Sequence, residues 1–269
     1  MKRVFAALLT LFIFAQSATA GGSPPEPVEV PIIMYHKVTR DRGQLGKHAI
    51  TPGELAADLA FLADNDYQVV TMNQLIAFVL GDGGLPEQPI VLTFDDGYFS
   101  DYRYVFPLLK QYEIPIVSSI MGKITDTYTK EGRQDINYPH LTWPLIREMA
   151  SSGLVEFQSH GYDLHRPGQG AKQRRGETDK AYATRLGADL NTLQARIEAE
   201  LGTRPTTFTY PYGARSRTSD GILKSMGFSA SLICEGRRNL VSRGNADCLF
   251  GMGRINRPHG RSLEEILAS

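Results

Sequence analysis

The chain has 269 residues, 42% of them hydrophobic, with 29 Lys plus Arg balanced by 29 Asp plus Glu. That length suits one large core, typical of a barrel folded as a single domain. A formal charge of zero carries no electrostatic signature of a nucleic-acid or anionic-membrane binder.

In chain order, the first segment reads as an address. Lys2 and Arg3 precede an apolar run from Val4 to Ala15, and Ala18-Thr19-Ala20 supplies a small-x-small cleavage site before Gly21. This is the pattern of a secretory signal peptide over residues 1–20. The run is shorter than the roughly 20 residues that span a bilayer, so no stable membrane insertion is expected after cleavage. Cleavage would leave 27 Lys plus Arg against 29 Asp plus Glu, a formal charge of −2. The expected location is secreted or periplasmic. Residues 21–29, rich in Gly, Pro and Glu, read as a flexible leader to a domain over residues 30–269.

Short apolar runs then alternate with amphipathic ones. The strand-like runs are Pro31–Tyr35, Gln68–Thr71, Ile90–Phe94, Ile114–Ile120, Leu154–Gln158, Thr206–Tyr210 and Phe228–Ile233. Thr51-Pro52-Gly53-Glu54 has the spacing of a capping box, and Leu55, Leu59 and Leu62 follow on one helical face. A second helical pattern covers about Lys180 to Leu201, with Leu186, Leu190, Leu193 and Ile197 in register. Strands alternating with helices predict parallel β/α units, as a barrel or an open sheet.

Polar candidates fall just after the strand-like runs: His36, the pair Asp95 and Asp96, His160, and Tyr212. In β/α barrels the C-terminal strand ends form the face on which active sites are assembled. Asp-Asp-Gly alone is a turn signal, but here it follows the strand Ile-Val-Leu-Thr-Phe. One Asp with two His is a usual ligand set for a catalytic divalent metal, and the other Asp is then free to act as a base. His160 and His165 have the spacing H-x4-H, which on a helix would set them about 140° apart. They can converge only from a loop. Asp163 between them is a candidate to orient one imidazole, or a loop cap.

Tyr210-Pro211-Tyr212-Gly213 reads as a turn able to aim a backbone N–H at a developing oxyanion. His36 and His259 compete for the role of general acid, and His48 and His140 read as surface residues. Tyr98, Trp143 and Tyr162 are candidates for stacking on sugar rings or for packing the rim. The basic stretch Lys172, Arg174 and Arg175 reads as a solvated loop or as a rim facing an anionic polymer. Cys234 and Cys248 are expected to form a disulfide in an oxidising compartment, worth on the order of 3 kcal/mol.

Together, T-F-D-D-G at 93–97, the spaced histidine pair and the Tyr-Pro-Tyr-Gly turn resemble the NodB-homology polysaccharide deacetylases, carbohydrate esterase family 4. The resemblance spans about Val30 to Arg257. It implies a distorted (β/α) barrel that removes acetyl groups from a glycan. It also implies Asp95 as catalytic base, Asp96, His160 and His165 as metal ligands, and the Tyr212 backbone in the oxyanion hole. The implied metal is a divalent ion, zinc first, with cobalt, nickel or iron also compatible with these ligands. Most members carry an Arg two residues before the Pro of the third motif, where it steadies the base; here Thr209 stands there. The Met-Tyr-His near the N-terminus and the H-x4-H spacing are similar to the poly-N-acetylglucosamine deacetylase branch, which implies His36 rather than His259 as the acid. The expected partner is an acetylated glycan polymer, probed first as poly-N-acetylglucosamine. Peptidoglycan, chitin or xylan deacetylation, and non-catalytic glycan binding, are the alternatives.

Overall fold

The computed structural model describes residues 26–132, 139–166 and 170–269. The expected signal peptide therefore lies outside the described residues. The described chain opens with strands β1 (Val28–Val30), β2 (Ile32–Tyr35), β3 (Lys37–Val38) and β4 (Ala49–Ile50), before helix α1 (Pro52–Asp64). Strand β5 (Gln68–Val69), helix α2 (Met72–Leu80) and strand β6 (Pro89–Asp96) follow. Next come α3 (Phe106–Tyr112), β7 (Ile116–Ile120), α4 (Gly122–Glu131), α5 (Trp143–Ser151) and β8 (Val155–Ser159). The remainder holds α6 (Asp179–Leu201), β9 (Thr207–Thr209), α7 (Ser219–Ser225), β10 (Ala230–Leu232), β11 (Asn239–Val241), β12 (Ile255–Asn256) and α8 (Leu263–Leu267).

The main sheet has the order β10-β9-β8-β7-β6-β2-β12, with β5 beside the start of β6. Every pair in it is parallel. The sheet curls into a half-barrel, so the expected distorted (β/α) barrel in a single domain is the fold found. The segment Met252–Asn256 spans the gap between the sheet edges. Met252 bridges to Leu232 of β10, and Ile255 and Asn256 pair with Ile33 and Met34 of β2. This segment carries a residue into the interior that proves central below.

Strand β6 is buried along its whole length, as a parallel strand covered on both faces must be. Alternation divides its side chains. Leu92 and Phe94 join Leu55, Leu59 and Leu62 of α1 in the outer core, whereas Val91 joins Ile32, Val117 and Leu232 in a second cluster. Asp95, two residues on from Thr93, thus continues the face that Val91 begins. Fully burying each leucine of α1 contributes about 2 kcal/mol, and the predicted capping box fixes where that helix starts. Thr51 accepts from the Glu54 N–H, and Glu54 accepts from the Thr51 N–H at 2.8 Å.

A buried ionic staple ties α1 to the chain after β12. Arg257 donates to both oxygens of Asp58, at 2.8 and 3.0 Å, and the Tyr35 hydroxyl donates to the same carboxylate at 3.0 Å. Removing one member of such a set leaves an uncompensated buried charge, a loss of about 3–5 kcal/mol.

Two expectations change here. Val28 and Glu29, at the end of the expected leader, belong to β1, which pairs antiparallel with β11. The expected Cys234–Cys248 disulfide is corrected: both thiols are free. Cys234 follows β10 onto the rim and sits beside Gly213, while Cys248 packs from a 3-10 turn against the inner core. Among the described residues no helix is long and apolar enough to cross a membrane.

Candidate active site

The site is assembled at the C-terminal ends of β2, β6, β8 and β9, which supply His36, Asp95 with Asp96, His160, and the turn bearing Tyr212. Asp95 and Asp96 are the last residues of β6. Asp96 has φ of 73° and Gly97 of 64°, so the chain turns in the left-handed region at the carboxylate itself. A side chain at 97 would put its Cβ 2.9 Å from Ile120 Cγ2. That close approach, with the positive φ, accounts for the glycine in Asp-Asp-Gly.

Asp96 Oδ1 lies 3.4 Å from His160 Nε2 and 3.3 Å from His165 Nε2. The three side chains can each present one ligand atom with all such atoms within 4.8 Å of one another. Asp96 Oδ1 is buried with no hydrogen-bond partner among the described residues. Leaving such an acceptor unsatisfied costs about 1–3 kcal/mol or more for a charged group. Each imidazole is also turned for the purpose. The Nδ1 of His160 is held 2.8 Å from the Thr209 carbonyl, and that of His165 lies 3.1 Å from the Tyr212 hydroxyl. An outer partner on Nδ1 is what fixes the tautomer of a metal-ligating histidine and leaves Nε2 free. On all these counts the residues fit a divalent cation.

Burial would raise the Asp96 pKa, but the adjacent His160, and then His165, outweigh it and hold the carboxyl well below its ordinary range. For His160 burial works toward lowering; contact with Asp96 and the charges of Asp95 and Asp96 win, and its pKa is raised. His36 goes the other way. Burial lowers it further than Asp95 and Asp96 can restore. Its Nε2 is 3.8 Å from Asp95 Oδ2, so base and acid candidates face one another.

The most informative side chain was not singled out by sequence reasoning. Arg254, with 0% exposure, grips Asp95 through two parallel hydrogen bonds, Nη1 to Oδ1 at 2.7 Å and Nη2 to Oδ2 at 2.8 Å. Its Nη1 also donates to Thr93 Oγ1 at 3.2 Å, and its Nε to the Ile233 carbonyl at 3.2 Å. Burial would raise the Asp95 pKa; the Arg254 charge beside it, then His160, keep the carboxyl below its usual range. The arginine absent at position 209 thus has a counterpart from the other end of the chain. Thr209 is used differently, its hydroxyl bonding Ser119 at 2.7 Å and its carbonyl anchoring His160. The only sequence cue was the run Arg254-Ile255-Asn256-Arg257, in which two arginines flank a short strand.

Other candidates are redistributed. His140 is corrected from surface to buried, its Nδ1 3.1 Å from the Asp96 backbone carbonyl and its ring stacked on Tyr98 with centroids 5.0 Å apart. His48 is exposed as expected, but lies at the mouth, with its ring 4.6 Å from that of His36. His259 is not brought into the cluster; it pairs with Glu54 on an exposed loop. Asp163 orients neither histidine, since Lys123 at 2.9 Å and Arg166 occupy it. Asp189 shapes the histidine loop instead, accepting from the N–H groups of Tyr162 and Asp163 at 2.7 and 2.8 Å. Trp143 is 1% exposed with its indole N–H on Asp126 at 2.7 Å, a packed residue and no sugar platform. Tyr212 has φ of 58° and half-exposes its ring, which lies against His165 with centroids 4.5 Å apart.

Comparison with known proteins bears on the family and the fold. A family profile described as polysaccharide deacetylase matches residues 82–231. The poly-beta-1,6-N-acetyl-D-glucosamine N-deacetylase of Escherichia coli (strain K12) is 28% identical over 255 residues, which cover 87% of this chain and 37% of that protein. The chain therefore spans little more than a third of that relative's length. Among solved structures, a de-N-acetylase from Aggregatibacter actinomycetemcomitans superposes with a TM-score of 0.74 at 25% identity, covering 90% of this chain and 99% of that one. IcaB from Ammonifex degensii gives a TM-score of 0.68 at 27% identity, covering 87% and 93%.

Proposed function

The chain belongs to the polysaccharide deacetylase family, and from that premise we propose that it hydrolyses N-acetyl groups of an exported glycan, poly-N-acetylglucosamine first among them. The observation that carries this reading is the convergence of Asp95, Asp96, His36, His160 and His165 at one barrel end, with Arg254 clamped on Asp95. The names of the relatives support the substrate, and the apolar N-terminal segment with its small-x-small site supports export to the periplasm or beyond.

A divalent metal, zinc by preference, held by Asp96, His160 and His165 would supply a water acidified toward neutrality and a positive charge at the acetyl oxygen. The remaining steps belong to the protein. Asp95, kept ionised by Arg254, accepts a proton as water attacks the acetyl carbonyl. The Tyr212 N–H donates to the developing oxyanion, a contribution of roughly 3–4 kcal/mol for one donor. Collapse of the tetrahedral species breaks the C–N bond, and the nitrogen must be protonated because an amide anion is too poor a leaving group. His36 delivers that proton. Since burial leaves His36 below the ordinary imidazole range, Asp95, 3.8 Å away, is the group positioned to hand on the proton it took from water. Acetate and a glucosamine unit result.

The direct test is acetate release from N-acetylglucosamine oligomers, before and after chelation. Release that chelation abolishes and added metal restores is expected. Metal-bound protein that releases acetate only from peptidoglycan or acetyl-xylan would overturn the substrate, and no release from any acetylated glycan would overturn the reaction. For His36→Gln the expected result is a rate loss on the order of 10²-fold on amide substrates, with far less on an acetyl ester that has a good leaving group. Equal losses on both would remove His36 from the role of acid.

A further inference from the structure

Beside the active site runs a basic groove that the reaction does not use. It encloses about 810 Å³ and is lined by Lys172, Arg174, Arg175, Arg215 and Arg217 with Gln173 and Ser216 between them. One bank is the segment after residue 170; the other continues the Tyr-Pro-Tyr-Gly turn. The banks are joined: the Gln173 N–H donates to Ser216 Oγ at 2.9 Å. Gly170, at φ of 49°, packs so tightly on the turn that a Cβ there would come 2.7 Å from the Pro211 carbonyl oxygen. The groove is therefore built onto the turn whose Tyr212 ring touches His165.

The acids nearby are already engaged. Asp220 pairs with Arg215, and Glu177 pairs with Arg185 at 2.7 Å. Lys172, Arg175 and Arg217 are exposed and have no acidic partner among the described residues. These three cations close together, with Arg174 and Arg215 beside them, are a local concentration of positive potential on a chain of zero formal net charge, and concave walls focus such a field. Guanidinium groups in this setting favour planar anions that accept two hydrogen bonds, carboxylates above all. Among the described residues no aromatic side chain lines the groove, and aromatic faces are the stacking platforms on which single-stranded nucleic acids are held.

We infer that this groove binds a carboxylate-bearing glycan chain, holding an acidic segment of polymer next to the catalytic turn. The inference draws on the proposed function only for the nearness of a glycan; the groove's affinity for an anion is independent of turnover.

The test is binding of a fluorescent oligogalacturonate to the full chain, in chelator so that catalysis plays no part. Saturable binding that weakens with salt is expected, and the triple variant Lys172→Gln, Arg175→Gln, Arg217→Gln should bind on the order of ten-fold or more weakly. All three side chains are exposed, so the variant should fold, and its turnover of a neutral N-acetylglucosamine trimer should match that of the parent. No saturable binding, or equal binding by parent and variant, would overturn the inference. So would inorganic phosphate competing as well as the oligomer residue for residue, which marks a simple anion site, or an oligothymidylate binding more tightly. Because the binding and turnover measurements are separate, a failed deacetylase assay leaves this result standing, and the reverse.

Discussion

Asn at position 95 is expected to leave the metal in place and abolish turnover. The substitution Asp95→Asn keeps the size of the side chain and one of the two acceptors that Arg254 uses but removes the proton acceptor, and a positioned base contributes about 10²–10⁴-fold. The loss should fall in the upper part of that range, because Asp95 is the partner of both Arg254 and His36. Metal content measured on the same preparation separates this from loss of the site. Asp96→Ala, which removes the buried oxygen between the two imidazoles, should lose metal and activity together. An Asp95→Asn protein that still releases acetate at the parent rate would refute the base assignment.

The second large effect is expected at Arg254. Arg254→Met removes a fully buried cation and leaves the Asp95 carboxylate buried without its partner, a destabilisation of about 3–5 kcal/mol. The pH dependence should change in a defined direction. In the parent, Arg254 holds the Asp95 pKa down against burial; without it, burial prevails and the pKa rises. The acid limb of the pH–rate profile should move to higher pH, and activity measured near neutrality should fall more than activity measured in alkali. The stability profile follows the same sign. A depressed native pKa contributes stability above the unfolded value that is lost as pH falls through the native one; in the variant, ionising Asp95 costs stability instead, so its melting temperature should drop relative to the parent as pH rises. A melt that falls equally at all pH values, with an unmoved acid limb, would reduce Arg254 to a packing residue.

Both predictions rest on residues of different legibility. Asp95, Asp96 and His160 were readable because local rules place them: each follows an apolar strand-like run, and β/α chains gather such positions on one face; His165 was readable from its spacing to His160. The helix starting at Thr51 was readable for the same reason, since the capping box and the spacing of Leu55, Leu59 and Leu62 are properties of a few consecutive residues. The three ligand side chains then met within 4.8 Å, Asp96 from the end of β6, His160 from just past β8 on the far side of β7, and His165 from the loop that follows.

What sequence order concealed was long-range. Arg254 is 159 positions from Asp95, and no periodicity or motif joins them. They meet only because the segment from Met252 to Asn256 bridges both edges of a curled sheet. Lys172 and Arg217 became two banks of one groove through a fit around Gly170 that local composition does not encode. His140 reads as a surface residue because its partner is a backbone carbonyl at Asp96, and backbone partners leave no trace in residue identity. The free Cys234 and Cys248 carry the same lesson: two thiols near in sequence were led by β10 to the rim and by a 3-10 turn to the inner core. By itself the sequence determined strand and helix alternation, the carboxylate and imidazole chemistry and the family, because these depend on short-range patterning. The tertiary structure alone decided which cation pairs with Asp95, that His140 packs under Asp96 and where positive charge collects, because those depend on how distant segments close the barrel.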